Sequence, residues 1–433
     1  MKKHEKFIYH SYKVDENGFE FHFSMGQYQF RPKWTCDVSS PIKSPNDPVL
    51  KELIFNLGMV ELVSYWKSAC PKIVEIQCGI LDEWQIAWWK KLYLNGLGEF
   101  FYLNKITPTE DFMKIVCPKP HVDLNQTSVS EDKPNHESLS GCLIPVGGGK
   151  DSIVTLELLS KSRAKNLSYI IGDVKRAFDS AKTAGYSNSQ IIGVHRTIDP
   201  VLLELNRKGY LNGHTPFSAI VAFSSLIFAY LSRKKHIVLS NENSANEGNC
   251  QLGEMTVNHQ YSKSIEFESD FREYVSRISL ANKVELPNYF SLLRPWNELQ
   301  ITGAFTQFPK YFSVFQSCNA GTKSNIWCAK CAKCLYVYIM LSAFIDDEQL
   351  LGIFGENLIE NPDLSEIFVA LKNPKHDKPF ECVGTRDEVN QALAMAAEHR
   401  SSSNLSLSSG LYSEFDNNNF VPEEFLELLY DFW

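Results

Sequence analysis

The chain has 433 residues, 44% of them hydrophobic, and carries a net charge of −8. That length exceeds one ordinary core and implies two or three domains. The acidic balance, with Arg233-Lys234-Lys235 as the densest basic run, argues against RNA or DNA as a partner.

The N-terminus is basic (Lys2, Lys3, Lys6), but no apolar signal core follows it. Residues 217–231 form the longest apolar stretch, interrupted by Ser218, Ser224 and Ser225. A bilayer span needs about 20 residues, so a buried helix is expected there. Eleven cysteines in a long chain without a signal point to reduced thiols and a metal site rather than a disulfide framework. The expectation is a cytoplasmic protein that does not enter a membrane.

Phe19, Phe21 and Phe23, then Tyr28 and Phe30, alternate as in a half-buried strand. From Pro48 to about Phe101 the pattern is helical and rich in aromatics. Trp84 and Trp88 share one helix face, and core packing is favoured over a ligand platform. Residues 1–117 thus read as a small α+β domain, and the polar, Pro-containing stretch 118–140 as a linker. Beyond it short apolar strands alternate with helices: Cys142–Val146, Tyr169–Ile171, Ile191–Val194 and Ile237–Leu239, with helices over Ile153 to Leu159 and Phe217 to Leu231. This is the grammar of an α/β domain, a parallel sheet with helices on both faces, placed at 141–399. Residues 400–433 read as a Ser/Asn-rich tail that ends in a short apolar helix.

The most informative stretch is Gly147-Gly148-Gly149-Lys150-Asp151-Ser152, where a strand runs through three glycines into a helix. Glycine backbone N–H groups approach a phosphate without a Cβ in the way, and the helix N-terminus adds unpaired donors. Ser152 adds a hydroxyl and Lys150 a charge. A Walker A loop needs Ser or Thr directly after the Lys, and here Asp151 follows. The arrangement instead resembles the PP-loop of the N-type ATP pyrophosphatases (adenine nucleotide alpha hydrolase-like), S-G-G-x-D-S, with Gly147 in place of the serine. Those enzymes cut ATP at the α-phosphorus, and the loop holds the departing pyrophosphate.

Cys318, Cys328, Cys331 and Cys334 are spaced C-x9-C-x2-C-x2-C. Four thiolates at such spacing suit a closed, structural Zn²⁺ site that leaves no position for water. A similar knuckle follows the sheet in the nitrile-forming PP-loop enzymes, so a helical region bearing it is expected after the catalytic sheet. The polar run 240–249 should lie beyond the carboxyl end of its strand, where α/β sheets bind ligands. Asn241 and Glu242 are nucleotide-binding candidates there, and Glu242 or Glu247 could hold Mg²⁺. His259, Tyr261 and Lys263 in the next polar stretch form a pool of acids and bases. Asn212 to Pro216 is a further candidate binding loop.

In order and combination, LIPVGGGKDS, NGHTPFSAI, LSNENSANEGN, VNHQYSKSIEFE, YFSLLRP, SCN…WCAKCAKC and KPFECVGT resemble the MurL family across about 143–395. This is the family of ATP-dependent epimerases of UDP-N-acetyl-α-D-muramoyl-L-alanyl-L-glutamate. The resemblance implies ATP and Mg²⁺ as requirements and a UDP-muramoyl dipeptide as substrate. It also implies a reaction in which adenylation of the glutamate carboxylate makes its α-hydrogen removable. Cys382, in KPFECVGT, is then an alternative carbon acid base, beside its plain reading as a small buried residue. Two other readings stay open at this point. One is a PP-loop enzyme that adenylates a nucleobase or amide oxygen for amination or thiolation; the other is a sensor that binds ATP without turnover.

Overall fold

The computed structural model describes residues 4–36, 42, 44–118, 138–401 and 415–432. Residues 119–137 of the expected linker and 402–414 of the expected tail lie outside them. The chain forms two units. The first draws on Met1–Gly141, Val194–Lys235 and Tyr274–Pro287, the second on Cys142–Gly193, His236–Glu273 and Asn288–Trp433.

In the first unit β1 (Lys6–Asp15) and β2 (Gly18–Met25) form an antiparallel hairpin. Strands β3 (Tyr28–Phe30) and β4 (Lys33–Cys36) add antiparallel to β2. On the other side β5 (Ile73–Ile76) runs parallel to β1, and β6 (Lys114–Val116) parallel to β5. The predicted alternation holds: Phe19, Phe21, Phe23 and Phe30 are all buried. They pack under the Pro48–Trp66 helix, where Phe23 lies 5.7 Å from Tyr65 between ring centroids. Asp47 caps that helix by accepting from the Val49 and Leu50 N–H groups, with Pro48 in the first turn where no N–H is needed.

The apolar Phe217–Leu231 stretch is one buried helix, as expected, and it packs against the Pro48–Trp66 helix in this first unit. Being apolar on nearly every face, its sequence announces burial but not the partner. Trp88 is buried in the core, and Trp84 lies under the Arg277 guanidinium at 3.7 Å, so the tryptophan face is packing.

The second unit is built on β7 (Cys142–Pro145), β8 (Leu167–Ile171), β9 (Ile191–Thr197, of which 191–193 belong here) and β10 (His236–Leu239). A small hairpin, β11 (Cys250–Leu252) with β12 (Met255–Val257), precedes β13 (Asn288–Ser291). The strand order is β13-β10-β7-β8-β9, and β13, β10, β7 and β8 are parallel neighbours. This unit is α/β, as the strand–helix alternation implies.

The chain leaves β7 to one side, toward β8 and β9, and returns to its other side at β10. The crevice beyond the carboxyl ends of β7 and β10 is therefore a topological switch point, where open α/β sheets bind ligands. The glycine loop leaves β7 there and the 240–249 loop leaves β10. The Ala332–Ser342 helix, buried throughout, packs against the Glu298–Thr306 and Arg386–Ser401 helices. Among the described residues no helix is long and apolar enough to cross a membrane.

Candidate active site

Strand β7 ends at Pro145, and the Lys150–Leu158 helix begins directly after three glycines. The middle glycine is obligatory. Gly148 has φ +87°, and a Cβ on it would come within 2.8 Å of the backbone of Arg176 and Ala177. A Cβ on Gly147 would meet nothing within 4 Å, so the position has room for the serine of the usual pattern. Gly149 is the N-cap of the helix and offers no side-chain cap to its first N–H groups. Ser152 turns its hydroxyl back to the Gly149 carbonyl at 3.0 Å.

Lys150 is buried, with its ammonium paired to the carboxylates of both Asp151 and Glu298. Glu242, also buried, completes a cluster: one carboxylate oxygen from each of Asp151, Glu242 and Glu298 lies within 4.8 Å of the others. Burial and the neighbouring Asp151 and Glu242 charges push Glu298 up, against the pull of Lys150. Burial pushes Asp151 up too, but Lys150 and Lys333 outweigh it and hold Asp151 low. Three acids so close repel one another, and a divalent cation is the neutralising partner such a set suits. Glu247, the other acid suggested for Mg²⁺, instead faces Lys378 at 3.3 Å and Arg386 at 3.6 Å.

The second half of the site centres on Cys382. Burial alone would raise its thiol, yet the Lys263 ammonium, a hydrogen bond from His259 and the charge of Lys333 bring it down to about 6. Lys263 is raised in turn: burial works against its charge, and Cys382, Glu242 and Asp151 more than offset that. Of the acid–base pool, His259 and Lys263 thus face the Cys382 thiol, and Tyr261 is buried one step along the same short turn.

A network of further residues holds these groups in place. Arg294, fully buried in the YFSLLRP motif, donates to the carbonyls of Glu242 and Lys263 and pairs with Glu268 at 3.0 Å. Glu268 also accepts the N–H (2.9 Å) and hydroxyl (2.7 Å) of Ser291, whose hydroxyl accepts from Asn241 at 3.0 Å. Glu388 accepts the Glu298 N–H at 2.9 Å and the Ser244 hydroxyl. Asn249 accepts the His259 N–H at 2.8 Å and donates to the Pro379 carbonyl at 2.8 Å, joining the His259 turn to the segment that carries Cys382.

Cys318, Cys328, Cys331 and Cys334 come together as the spacing implies, with sulfurs 3.6 to 3.7 Å apart along three of the edges. With Zn–S bonds of about 2.3 Å, a regular tetrahedron of thiolates has edges of about 3.8 Å. An iron–sulfur cluster interposes several bridged irons and spreads its thiolates more widely. The donor set fits a single tetrahedral ion. The 212–216 loop belongs to the first unit, where the buried Lys67 ammonium binds the Gly213 and His214 carbonyls.

A glycine loop at the switch point of a parallel sheet, with buried acids and a thiol beside it, is the kind of ligand crevice that α/β enzymes build. Residues 1–292 match the MurL N-terminal domain and residues 314–422 the MurL C-terminal domain. The chain belongs to the MurL family. It is 32% identical over 421 residues to the UDP-N-acetyl-alpha-D-muramoyl-L-alanyl-L-glutamate epimerase of a Micromonospora species, a match covering 92% of this chain and 88% of that protein. The enzyme of the same name from Salinispora tropica is 31% identical over 414 residues, covering 92% and 86%. The one from Xanthomonas oryzae pv. oryzae is 32% identical over 358 residues, covering 81% and 76%.

Proposed function

We propose that this chain inverts the terminal L-glutamate of UDP-N-acetylmuramoyl-L-alanyl-L-glutamate to D-glutamate at the expense of ATP, as a cytoplasmic step of peptidoglycan precursor synthesis. The observation that carries the reading is the convergence, in one unit, of a glycine loop with an acidic cluster and a thiol faced by Lys263 and His259.

Removing a glutamate α-hydrogen beside an ionised carboxylate would build a dianion. In the proposed sequence a carboxylate oxygen attacks the α-phosphorus of ATP, and pyrophosphate leaves against Gly147 to Ser152. The resulting acyl-adenylate has lost the carboxylate charge and can delocalise a carbanion. Cys382 as thiolate takes the α-proton, and a proton returns on the opposite face from the pool of His259, Tyr261 and Lys263. Water then cleaves the acyl phosphate, which releases AMP and the D-glutamyl product. Asp151, Glu242 and Glu298 would hold Mg²⁺, which supplies charge neutralisation at the phosphates. Asn241, next to Glu242 on the same loop, would be a nucleotide contact.

The test is an incubation of the protein with ATP, Mg²⁺ and the UDP-muramoyl dipeptide. AMP and D-glutamyl product are expected together. AMP without inversion would assign the chain to a different adenylating reaction.

The knuckle reading adds a structural Zn²⁺, which would contribute folding free energy directly. About one zinc per chain is expected by metal analysis. Cys331→Ser should lose it and lower the melting temperature by at least about 5 °C. Purified protein without zinc, or with an iron–sulfur absorption band, would contradict this assignment.

A further inference from the structure

Cys382 sits on neither a helix nor a strand. Its segment is a pair of tight turns, with the Glu381 N–H on the Pro379 carbonyl at 2.8 Å and the Val383 N–H on the Glu381 carbonyl at 2.8 Å. Such backbone has little rigidity of its own and takes its position from what grips it. Part of that grip comes from the cysteine knuckle. Lys333 lies between Cys331 and Cys334 and is buried, and its ammonium donates to the Cys382 carbonyl. Its backbone N–H donates to the Glu381 carboxylate at 2.8 Å. That N–H is one of the unpaired donors at the start of the Ala332–Ser342 helix, whose N-cap, Cys331, makes no side-chain cap. Glu381 therefore caps the helix from outside, with its charge on the positive end of the helix dipole.

The other end of the knuckle grips the nucleotide side. Two residues before Cys318, the Gln316 N–H donates to the Gly148 carbonyl at 2.8 Å. Ser317 packs so closely that a Cβ on Gly149 would lie 3.1 Å from its own Cβ.

We propose that the cysteine knuckle is a strut between the two halves of the active site, and that Lys333 is the positioning residue through which it holds Cys382. The metal site then does more than stabilise the fold: it fixes the thiol relative to the glycine loop. The inference rests on Cys382 as the proton-transfer group.

The experiment follows two partial reactions in Lys333→Met, Lys333→Arg, Glu381→Gln and Cys382→Ser: ATP–pyrophosphate exchange and incorporation of deuterium at the glutamate α-carbon. Zinc content is read on each protein. Lys333→Met is expected to slow deuterium incorporation at least about tenfold more than it slows ATP–pyrophosphate exchange, with zinc content unchanged. Lys333→Arg, which keeps a donor, should recover part of the loss. Glu381→Gln keeps an acceptor without charge and should give a smaller loss of the same kind, so the idea stays testable if Lys333→Met does not fold. Parallel loss of both reactions with loss of zinc would overturn the proposal and make Lys333 a fold residue only. So would normal incorporation in Lys333→Met and Glu381→Gln when Cys382→Ser has lost it. Normal incorporation in Cys382→Ser would take down both this inference and the assignment beneath it.

Discussion

Cys382→Ser should lose proton exchange at the glutamate α-carbon by at least about 10³-fold while forming adenylate at close to the normal rate. Positioned acid–base groups contribute typically about 10²–10⁴-fold, and a serine hydroxyl does not ionise in the working range. The split between the two partial reactions carries the argument, because a folding defect would lower both. The pH profile gives an independent reading. Lys263, His259 and Lys333 outweigh burial and bring the thiol down to about 6, so thiolate is present above that pH and is lost as pH falls through it. The rate as kcat/KM should therefore rise with a midpoint of about 6 and then level off. Removing the largest favourable cause, in Lys263→Ala, should move the midpoint upward toward an ordinary thiol and slow the enzyme at neutral pH. A Cys382→Ser enzyme that exchanges the proton normally would remove the thiol from the mechanism.

Asp151→Ala should abolish pyrophosphate release, by at least about 10³-fold, with the fold intact. Asp151 contributes one of the three clustered carboxylates and stands in the first turn after the glycine loop. As a carboxylate it would act through the divalent ion it helps to hold, and that ion would neutralise the phosphates during transfer. Stability should change little, because Lys150 keeps its ion pair with Glu298 and Asp151 is not in the hydrophobic core. Deuterium incorporation should fall in parallel with pyrophosphate release, which separates this variant from Cys382→Ser. Normal turnover in a stable Asp151→Ala protein would take the loop out of the chemistry.

The glycine loop and the cysteine cluster were legible because each is a local pattern whose chemistry depends on short spacing. Gly148 needs its positive φ within four residues of chain, and Cys328, Cys331 and Cys334 converge on one turn. Glu298 carries no such signal. It lies 148 positions from Lys150, and only the return of the chain to the β10 side of β7 brings the two together. Arg294 looks like an ordinary charged residue, and Glu268 like one of two acids in a polar stretch. Their burial follows from β13, a short Asn288–Ser291 strand that the YFSLLRP motif overlaps and whose four residues show no period of their own. Strand β5 likewise lies inside a stretch of helical pattern, and its four residues are too few to establish a period of two. The Phe217–Leu231 helix shows the same limit in another form. Its apolar faces require burial, but nothing in them says that residues 194–235 belong with the N-terminal strands.

The most direct test of the central claim, that adenylation licenses removal of the α-proton, is turnover of the UDP-muramoyl-L-alanyl-L-glutamate substrate in ²H₂O, read by mass spectrometry of the product. With ATP the D-glutamyl residue should carry deuterium at its α-carbon. With an α,β-methylene analogue of ATP there should be neither inversion nor deuterium. Inverted product without deuterium, or exchange that proceeds without cleavable ATP, would contradict the account.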